Sequence, residues 1–333
     1  MMDKPPSPSD LWQHPGVRVS AAVAVAGLYA LLCYALVEAV LGGLGLISVV
    51  FAILQPAIIS AFVAYIGDPM YRRTRSYYLL VPTVLTIGMI VVAAFFLQEG
   101  VICIAMLSPL WLASGTTGTY ILTKIRKRPQ SRDEDVAVFQ ASAWLLVPLI
   151  MIPVEQSIPL PTAEYTVTRS IDIDAKPENV WELMQSVPDL SPGEGRWNLS
   201  QDVIGVPRPV EASLEGQGVD SVRRAQWDEG IMFEEHVTTW SPEKEIAWDF
   251  VFPQSDAWDF TDRHLHPDSE YMRIETGGYT LEQLEPERVR LTLHTTYKAR
   301  TALNAYASLW GEFFLGDIQS NILAAIADRA EAQ

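Results

Sequence analysis

Five long apolar runs dominate the first half of the chain, at about 19–41, 45–66, 78–97, 101–122 and 136–154. Each approaches the ~20 residues that a helix needs to cross a bilayer. Runs one and two meet at LGGLG (41–45), which leaves room only for a tight helical hairpin. Run one is no convincing signal peptide: its flank is long, its apolar core exceeds an h-region, and no small-residue cleavage site closes it. Run five carries Gln140, Pro148 and Pro153; spanning helices tolerate prolines where neighbours satisfy the freed carbonyls. The expectation is an all-α transmembrane bundle of five helices over residues 19–156. KPPSPSD (4–10) reads as part of a disordered tail over residues 1–18.

Beyond residue 156 the periodicity changes. SIPLPTAEY (157–165) holds two prolines and reads as a linker over 157–164. YTVTRSIDID then alternates apolar and polar positions, as a half-buried strand does. PENVWELMQSV (177–187) predicts a short helix, with Pro177 in its first turn, Glu178 near its positive end, and Val180, Trp181 and Met184 on one face. Strand patterns follow in DVIGV, DSVRRAQW, IMFEEHVTTW, EIAWDFVF, MRIETGGYTLEQL and RVRLTLHTTYKA. Short connections such as DEG and SPEKE join several of them, which predicts an antiparallel meander. The chain closes on a long amphipathic helix whose stripe is Leu309, Trp310, Phe313, Phe314, Ile318, Ile322 and Ile326. Together these elements predict an α+β domain over 165–331. A strongly bent sheet around one long helix leaves a cavity that the helix alone does not fill.

Charge divides the chain at the same place. Residues 1–160 hold ten Lys and Arg against nine Asp and Glu, whereas residues 161–333 hold fourteen against thirty-one. The acidic half argues against a nucleic-acid partner, which needs a basic face, and against docking on anionic lipid. Within the apolar half, Arg72, Arg73 and Arg75 follow run two, and Lys124, Arg126, Lys127, Arg128 and Arg132 follow run four. Basic loops stay in the cytoplasm. With five crossings the N-terminus is then cytoplasmic and the acidic domain periplasmic or extracellular, as in a bacterial inner-membrane protein; if run five only re-enters, the domain is cytoplasmic instead. No run carries a charge at its centre, the usual mark of an ion pathway. ASGTTGTY (113–120) reads as a small-residue helix-packing face. Cys33 and Cys103 lie in apolar runs and read as small hydrophobes.

The second half also resembles a family. VTRSIDIDAKPENVWELM (167–184), GVDSVRR with EEHVTTWSPEKEIAW (218–248), GGYTLEQL with VRLTLHTTY (277–297), and the terminal helix occur in the order found in START-like helix-grip (SRPBCC) domains, the polyketide cyclase/dehydrase and lipid-transport superfamily. The resemblance covers about residues 163–331 and leaves the apolar half outside it. It implies a curved antiparallel sheet around the C-terminal helix, with a hydrophobic-ligand pocket between them. It does not specify a reaction, since such folds host both cyclases and carriers.

One hairpin carries the sharpest chemistry. If DEG (228–230) is a three-residue loop with Gly230 left-handed, Trp227 faces Ile231, Ala225 faces Phe233 and Arg223 faces Glu235. All six then share one face, apolar except for the last pair, so Arg223 and Glu235 are expected to be cross-strand partners inside the cup. They read either as a structural ion pair or as a polar anchor for a ligand head group in a greasy pocket. The other ligand-contact candidates are Trp227, Phe233, Trp248, Phe250, Phe252, Tyr279, Tyr297, Trp310, Phe313 and Phe314. Each also reads as core.

DRHLHPDSE (262–270) sets His264 and His266 near Asp262 and Glu270, a weak zinc candidate outweighed by a plain acidic loop. His236 and His294 are expected to point outward from the sheet. No Gly-rich phosphate loop, G-x-S-x-G or HExxH occurs, and no cofactor is expected. The expected function is membrane-anchored binding of a lipid or other apolar small molecule without conversion. Two alternatives stand beside it: a cyclase or dehydratase with Glu235 as acid/base, and a membrane assembly or sensor protein that uses the domain to bind a protein.

Overall fold

The computed structural model describes residues 15–41, 48–126, 141–191, 193–253 and 266–333. The chain divides into two units, one of helices up to Pro159 and one comprising Leu160–Gln333 with Glu99–Cys103.

The helical unit contains α1 (Pro15–Leu41), α2 (Gln55–Gly67, entered through a π-helical turn at Val50–Leu54), α3 (Arg75–Val92, continued by a π turn at Ala93–Leu97), α4 (Val101–Arg126) and α5 (Leu146–Gln156). α1 begins at Pro15, so the last residues of the anticipated tail are helical. The LGGLG turn beyond Leu41 and residues 127–140, where run five begins, lie outside the described residues. Among the described residues, four helical spans are long and apolar enough to cross a membrane: Gly16–Ala35, Val50–Gly67, Arg75–Leu97 and Val101–Arg126. The fifth apolar run is seen as a shorter helix, Ala141–Gln156, with a turn at Trp144 and Leu145.

Small residues set the inter-helix spacing. α1 buries Ala22, Ala26, Ala30, Cys33 and Val37, which recur at helical spacing on one face. α4 brings Gly118 against the Ala57 backbone of α2, where any Cβ would collide. That is the close approach expected of the ASGTTGT face. Thr119 Oγ1 donates to Tyr78 O at 2.8 Å and ties α4 to α3. At one end of α2 the Asp68 carboxylate accepts from the Arg72 and Arg73 amides and from Tyr78 Oη. There Arg126 stacks 3.6 Å from the Tyr65 ring and donates to Asp68 O. At the other end the Glu155 carboxylate of α5 accepts from the Val49 amide at 2.6 Å, from the Val50 amide and from Ser48 Oγ. It thus satisfies donors that a helix start leaves open. Trp144 meets Tyr65 edge-on, with centroids 5.7 Å apart.

The second unit contains β1 (Thr162–Ile173), α6 (Pro177–Gln185), β2 (Pro209–Glu215), β3 (Val222–Trp227), β4 (Met232–Ser241), β5 (Glu245–Val251), β6 (Met272–Glu285), β7 (Arg288–Arg300) and α7 (Asn304–Glu331). The seven strands form one antiparallel sheet in the order β1-β7-β6-β5-β4-β3-β2. β2 through β7 form the expected meander, and β1 closes onto β7. Two strand expectations need correction. DVIGV is not a strand; Ser200–Ile204 is a single π-helical turn ended by Gly205 at φ 89°. The first meander strand is instead PVEASLE, β2. The linker is also shorter than expected, because β1 already starts at Thr162.

The core lies between the sheet and the two helices. Ile173, Met184, Ile246, Leu291, Leu323 and Ile326 are almost fully buried there, and each such side chain contributes about 1.5–3 kcal/mol relative to exposure. Gln319 pins α7 to the sheet, its Nε2 donating to Val167 O (3.1 Å) and Thr295 Oγ1 (3.0 Å). The apolar stripe of α7 holds for Ile318 and Ile326, but Leu309 is 66% exposed. It sits off the 3.6-residue line through those two positions.

Candidate functional site

The site is built on the β3–β4 hairpin. Asp228–Gly230 form its tight connection, with Glu229 at φ 59° and Gly230 at φ 73°. The Trp227 amide donates to Ile231 O at 2.8 Å, which closes the ladder above the loop. The register then places Ala225 opposite Phe233 and Arg223 opposite Glu235, as the turn chemistry and alternation required. On the opposite face Arg224 pairs with the exposed Glu215 and the part-exposed Glu234.

Arg223 is 5% exposed and Glu235 4%. Their side chains form an ion pair between Nη1 and Oε2. Arg223 Nε also donates to Gln185 O, the last residue of α6, at 3.1 Å. The guanidinium lies 5.4 Å from the Trp248 ring and 5.8 Å from the Tyr279 ring, within cation–π range. Burial works against the Arg223 charge, and Glu235 and Tyr279 together more than restore it. Burial pushes the Glu235 carboxyl above its usual range, and Arg223 pulls it part of the way back. Burial also pushes the Tyr279 hydroxyl up to about 12, opposed by Arg223. Glu235 Oε2 and Gln185 O take two of the five donors that a guanidinium presents.

The aromatic candidates fall into two groups. Around the ion pair, Trp227 contacts Phe233 (5.6 Å), Phe233 contacts Phe250 (5.8 Å), Phe250 contacts Trp248 (6.1 Å), and Trp248 contacts Tyr279 (5.4 Å). Gly277, opposite Trp248 in the ladder, makes room for the Phe250 ring. Phe252 stacks parallel to Phe250 and touches Phe233.

The second group lies elsewhere. Tyr297 packs with Val167, Ala299 and Tyr165, its hydroxyl against Gly311 of α7. Trp310, Phe313 and Phe314 contact one another and Tyr306 on the first half of α7. These helix rings are half-buried, whereas the later turns of α7 bury Gln319, Leu323 and Ile326. Trp248 Nε1, Tyr297 Oη and Gln319 Oε1 are buried with no hydrogen-bond partner. Sequence reasoning passed over Gln319, because a single amide inside an apolar stripe carries no periodic signal.

His264 and Asp262 lie outside the described residues. Among the described residues no group of three His, Cys, Asp or Glu is disposed to hold a metal. His236 is exposed on the outer face beside Glu234 (2.9 Å). His294 is half-buried, and burial lowers its pKa.

No protein-family model and no curated protein matches the chain. Solved structures do. An aromatase/cyclase, Zhui, from Streptomyces sp. R1128 is 16% identical over 51% of this chain and 94% of its own, with a TM-score of 0.31. Truncated norcoclaurine synthase from Thalictrum flavum is 11% identical over 52% of this chain and 95% of its own, with a TM-score of 0.32. Protein MLL2253 from Mesorhizobium loti is 16% identical over 50% of this chain and 98% of its own, with a TM-score of 0.29. These are the folds to which about half of the chain is similar. The helix-grip description itself rests on the sheet order and on α7.

Proposed function

We propose that the protein is an integral membrane protein whose C-terminal domain binds a hydrophobic or amphipathic, lipid-like molecule without converting it. The observation that carries this reading is the buried Arg223–Glu235 pair set in a wall of aromatic rings. Apolar walls with a few placed polar groups are what a pocket for an amphiphile needs. The spare guanidinium donors suit a polar head group, and the rings suit a hydrocarbon body. The half-buried Trp310, Phe313 and Phe314 offer a further apolar surface on α7.

The membrane part of the reading is supported by the outward faces of the helices. Leu28, Leu32, Phe95 and Phe96 are between 62% and 77% exposed, on helices apolar enough to span. We further propose five crossings, with a cytoplasmic N-terminus and a periplasmic or extracellular C-terminal domain, in a bacterial inner membrane. Support comes from α5. Its segment begins beside Tyr65, at the end of α2 near the basic loop, and ends with Glu155 at the start of α2. It therefore runs antiparallel to α2 along most of its length.

The test is gentle mass spectrometry of residues 160–333, expressed in the predicted compartment. A co-purifying apolar molecule is expected. A clean, ligand-free domain would move the weight to a protein-binding module. An enzymatic reading, a cyclase or dehydratase using Glu235 as acid/base, draws on the raised Glu235 pKa. It is the weaker reading, because Arg223 already engages that carboxylate. Glu235→Gln separates the two: a binding protein changes affinity, whereas an enzyme loses turnover and keeps its ligand.

A further inference from the structure

The helical unit holds a cavity of its own. Residues of α1, α2 and α3, with Phe51 of the π turn and Trp111 of α4, line a half-open cavity of about 310 Å³. At roughly 30 Å³ per water-sized group, that is room for about ten such groups, and a methylene is of similar size. The wall is apolar, with Leu31, Phe51, Ile59 and Met89 among its residues, and none of the described residues lining it is charged.

One polar side chain breaks the pattern. Gln55 lines the cavity, is 3% exposed, and its Oε1 has no hydrogen-bond partner. An acceptor withdrawn from water and left unpartnered in hydrocarbon is costly, so polar groups at this depth are normally satisfied. The backbone leading into Gln55 is the π-helical turn Val50–Leu54. Such turns interrupt helices where a side chain is re-aimed, frequently at functional sites. Ser60 and Thr86 add two buried hydroxyl-bearing side chains to the wall.

We propose that this cavity is a second ligand site, taking a neutral single-chain alcohol whose hydroxyl donates to Gln55 Oε1. Each part of that description answers a feature of the cavity. The unpartnered atom is an acceptor, so the ligand must donate. The wall holds no charge, so the polar end must be neutral. The volume seats a single chain of about ten carbons. The inference rests on the bundle being membrane-embedded and is independent of the ligand of the C-terminal domain.

The test is photolabelling of the full-length protein in phospholipid nanodiscs with an alkanol of about ten carbons bearing a mid-chain diazirine. Saturable labelling of α1, α2 and α3 peptides is expected, competed by the unlabelled alcohol and not by the matching alkane. Gln55→Leu should weaken competition about tenfold, the loss of one hydrogen bond in an apolar site. At Gly27 and Gly88, which line the cavity, an added Cβ meets nothing within 4 Å. Gly27→Leu and Gly88→Leu therefore add side chains at positions open for them to start into the cavity and should abolish saturable labelling. The proposal is overturned if labelling is unsaturable throughout, if the alkane competes as well as the alcohol, or if neither leucine variant changes it. Unsaturable labelling at the outward Phe95 and Phe96 reports membrane embedding. Its absence would sink the membrane reading and this proposal with it.

Discussion

Arg223 and Glu235 stand directly opposite one another on β3 and β4, and their ion pair is more than nine-tenths buried. Each charge is tolerated because the other is present. Arg223→Met should therefore destabilise the C-terminal domain by about 3–5 kcal/mol, as removal of one partner of a buried pair does. Arg223→Met/Glu235→Leu should recover most of the loss, since apolar replacement of both partners is near neutral. Urea unfolding followed by tryptophan fluorescence checks this. Single variants close to wild type would mean that water reaches the pair.

The same variant has a pH signature. Without Arg223, only burial acts strongly on Glu235, and burial raises its pKa. A raised folded-state pKa means that the native state holds its proton more tightly than the unfolded chain. Stability of Arg223→Met should be greatest below the ordinary Glu range and fall as pH rises through the folded-state pKa. The slope approaches about 1.4 kcal/mol per pH unit for one proton. Arg223→Met/Glu235→Gln should lose that slope, which unfolding curves from pH 4 to 8, roughly the range spanning carboxylate titration, would reveal.

Glu194 carries the opposite sign. Arg329 near the end of α7 grips it with two nitrogens, at 2.8 and 3.1 Å, and holds its carboxyl below the usual range. That stabilisation is present above the ordinary carboxylate pKa and lost as pH falls through the depressed one. The pair is partly exposed, 23% and 33%, so Glu194→Gln should cost less than about 1 kcal/mol at neutral pH. The difference from wild type should vanish on acidification, as read in melting temperatures.

In the bundle, Gly118 has no room for a side chain because the Ala57 backbone lies against it. Gly118→Val should separate α4 from α2 and lower detergent-solubilised thermal stability by about 1–3 kcal/mol or more. The same change at Gly27 should be tolerated. Equal effects at the two sites would show that α4 does not approach α2 this closely.

A reporter fused after Pro159 tests the crossing number. Activity only of the type that matures outside the cytoplasm is expected. Glu155→Ala removes the acceptor for the Val49 and Val50 amides and should loosen the α2–α5 contact, with more cytoplasmic reporter activity. Cytoplasmic activity from the unmodified fusion would sink both the periplasmic assignment and the fifth crossing.

What the sequence made legible is what local chemistry determines. The Arg223–Glu235 register was readable because a DEG loop with one left-handed glycine leaves a single pairing, and a slip by one residue would turn Phe233 outward. Gly118 was readable as a packing position because small residues recur at helical spacing. DVIGV misled because a short run of β-branched residues reads the same in a strand and in one helical turn, and only Gly205 at positive φ decides. PVEASLE was missed although Val210, Ala212 and Leu214 alternate with Glu211, Ser213 and Glu215, because Pro, Glu, Ala and Ser are weak strand formers. Gln55 was visible next to Pro56, but that it lines a cavity depends on where α1 and α3 pass it. Such long-range placement leaves no mark on neighbouring residues.

The pairing of β1 with β7 has a consequence for how the domain comes into being. Tyr165 aligns with Tyr297, and Ile173 with Val289. The first strand synthesised finds its partner only when the last one has emerged, and α7 follows later still. Contacts so distant along the chain slow folding. Until they form, β1 is an unpaired edge of the kind that invites association with other chains. Its outward positions carry Glu164 and Asp172, both exposed in the finished sheet. Those charges keep the waiting strand soluble, and Asp172 later becomes the acceptor for Arg290 of β7. The residues that guard the strand during synthesis are then reused to hold the sheet closed.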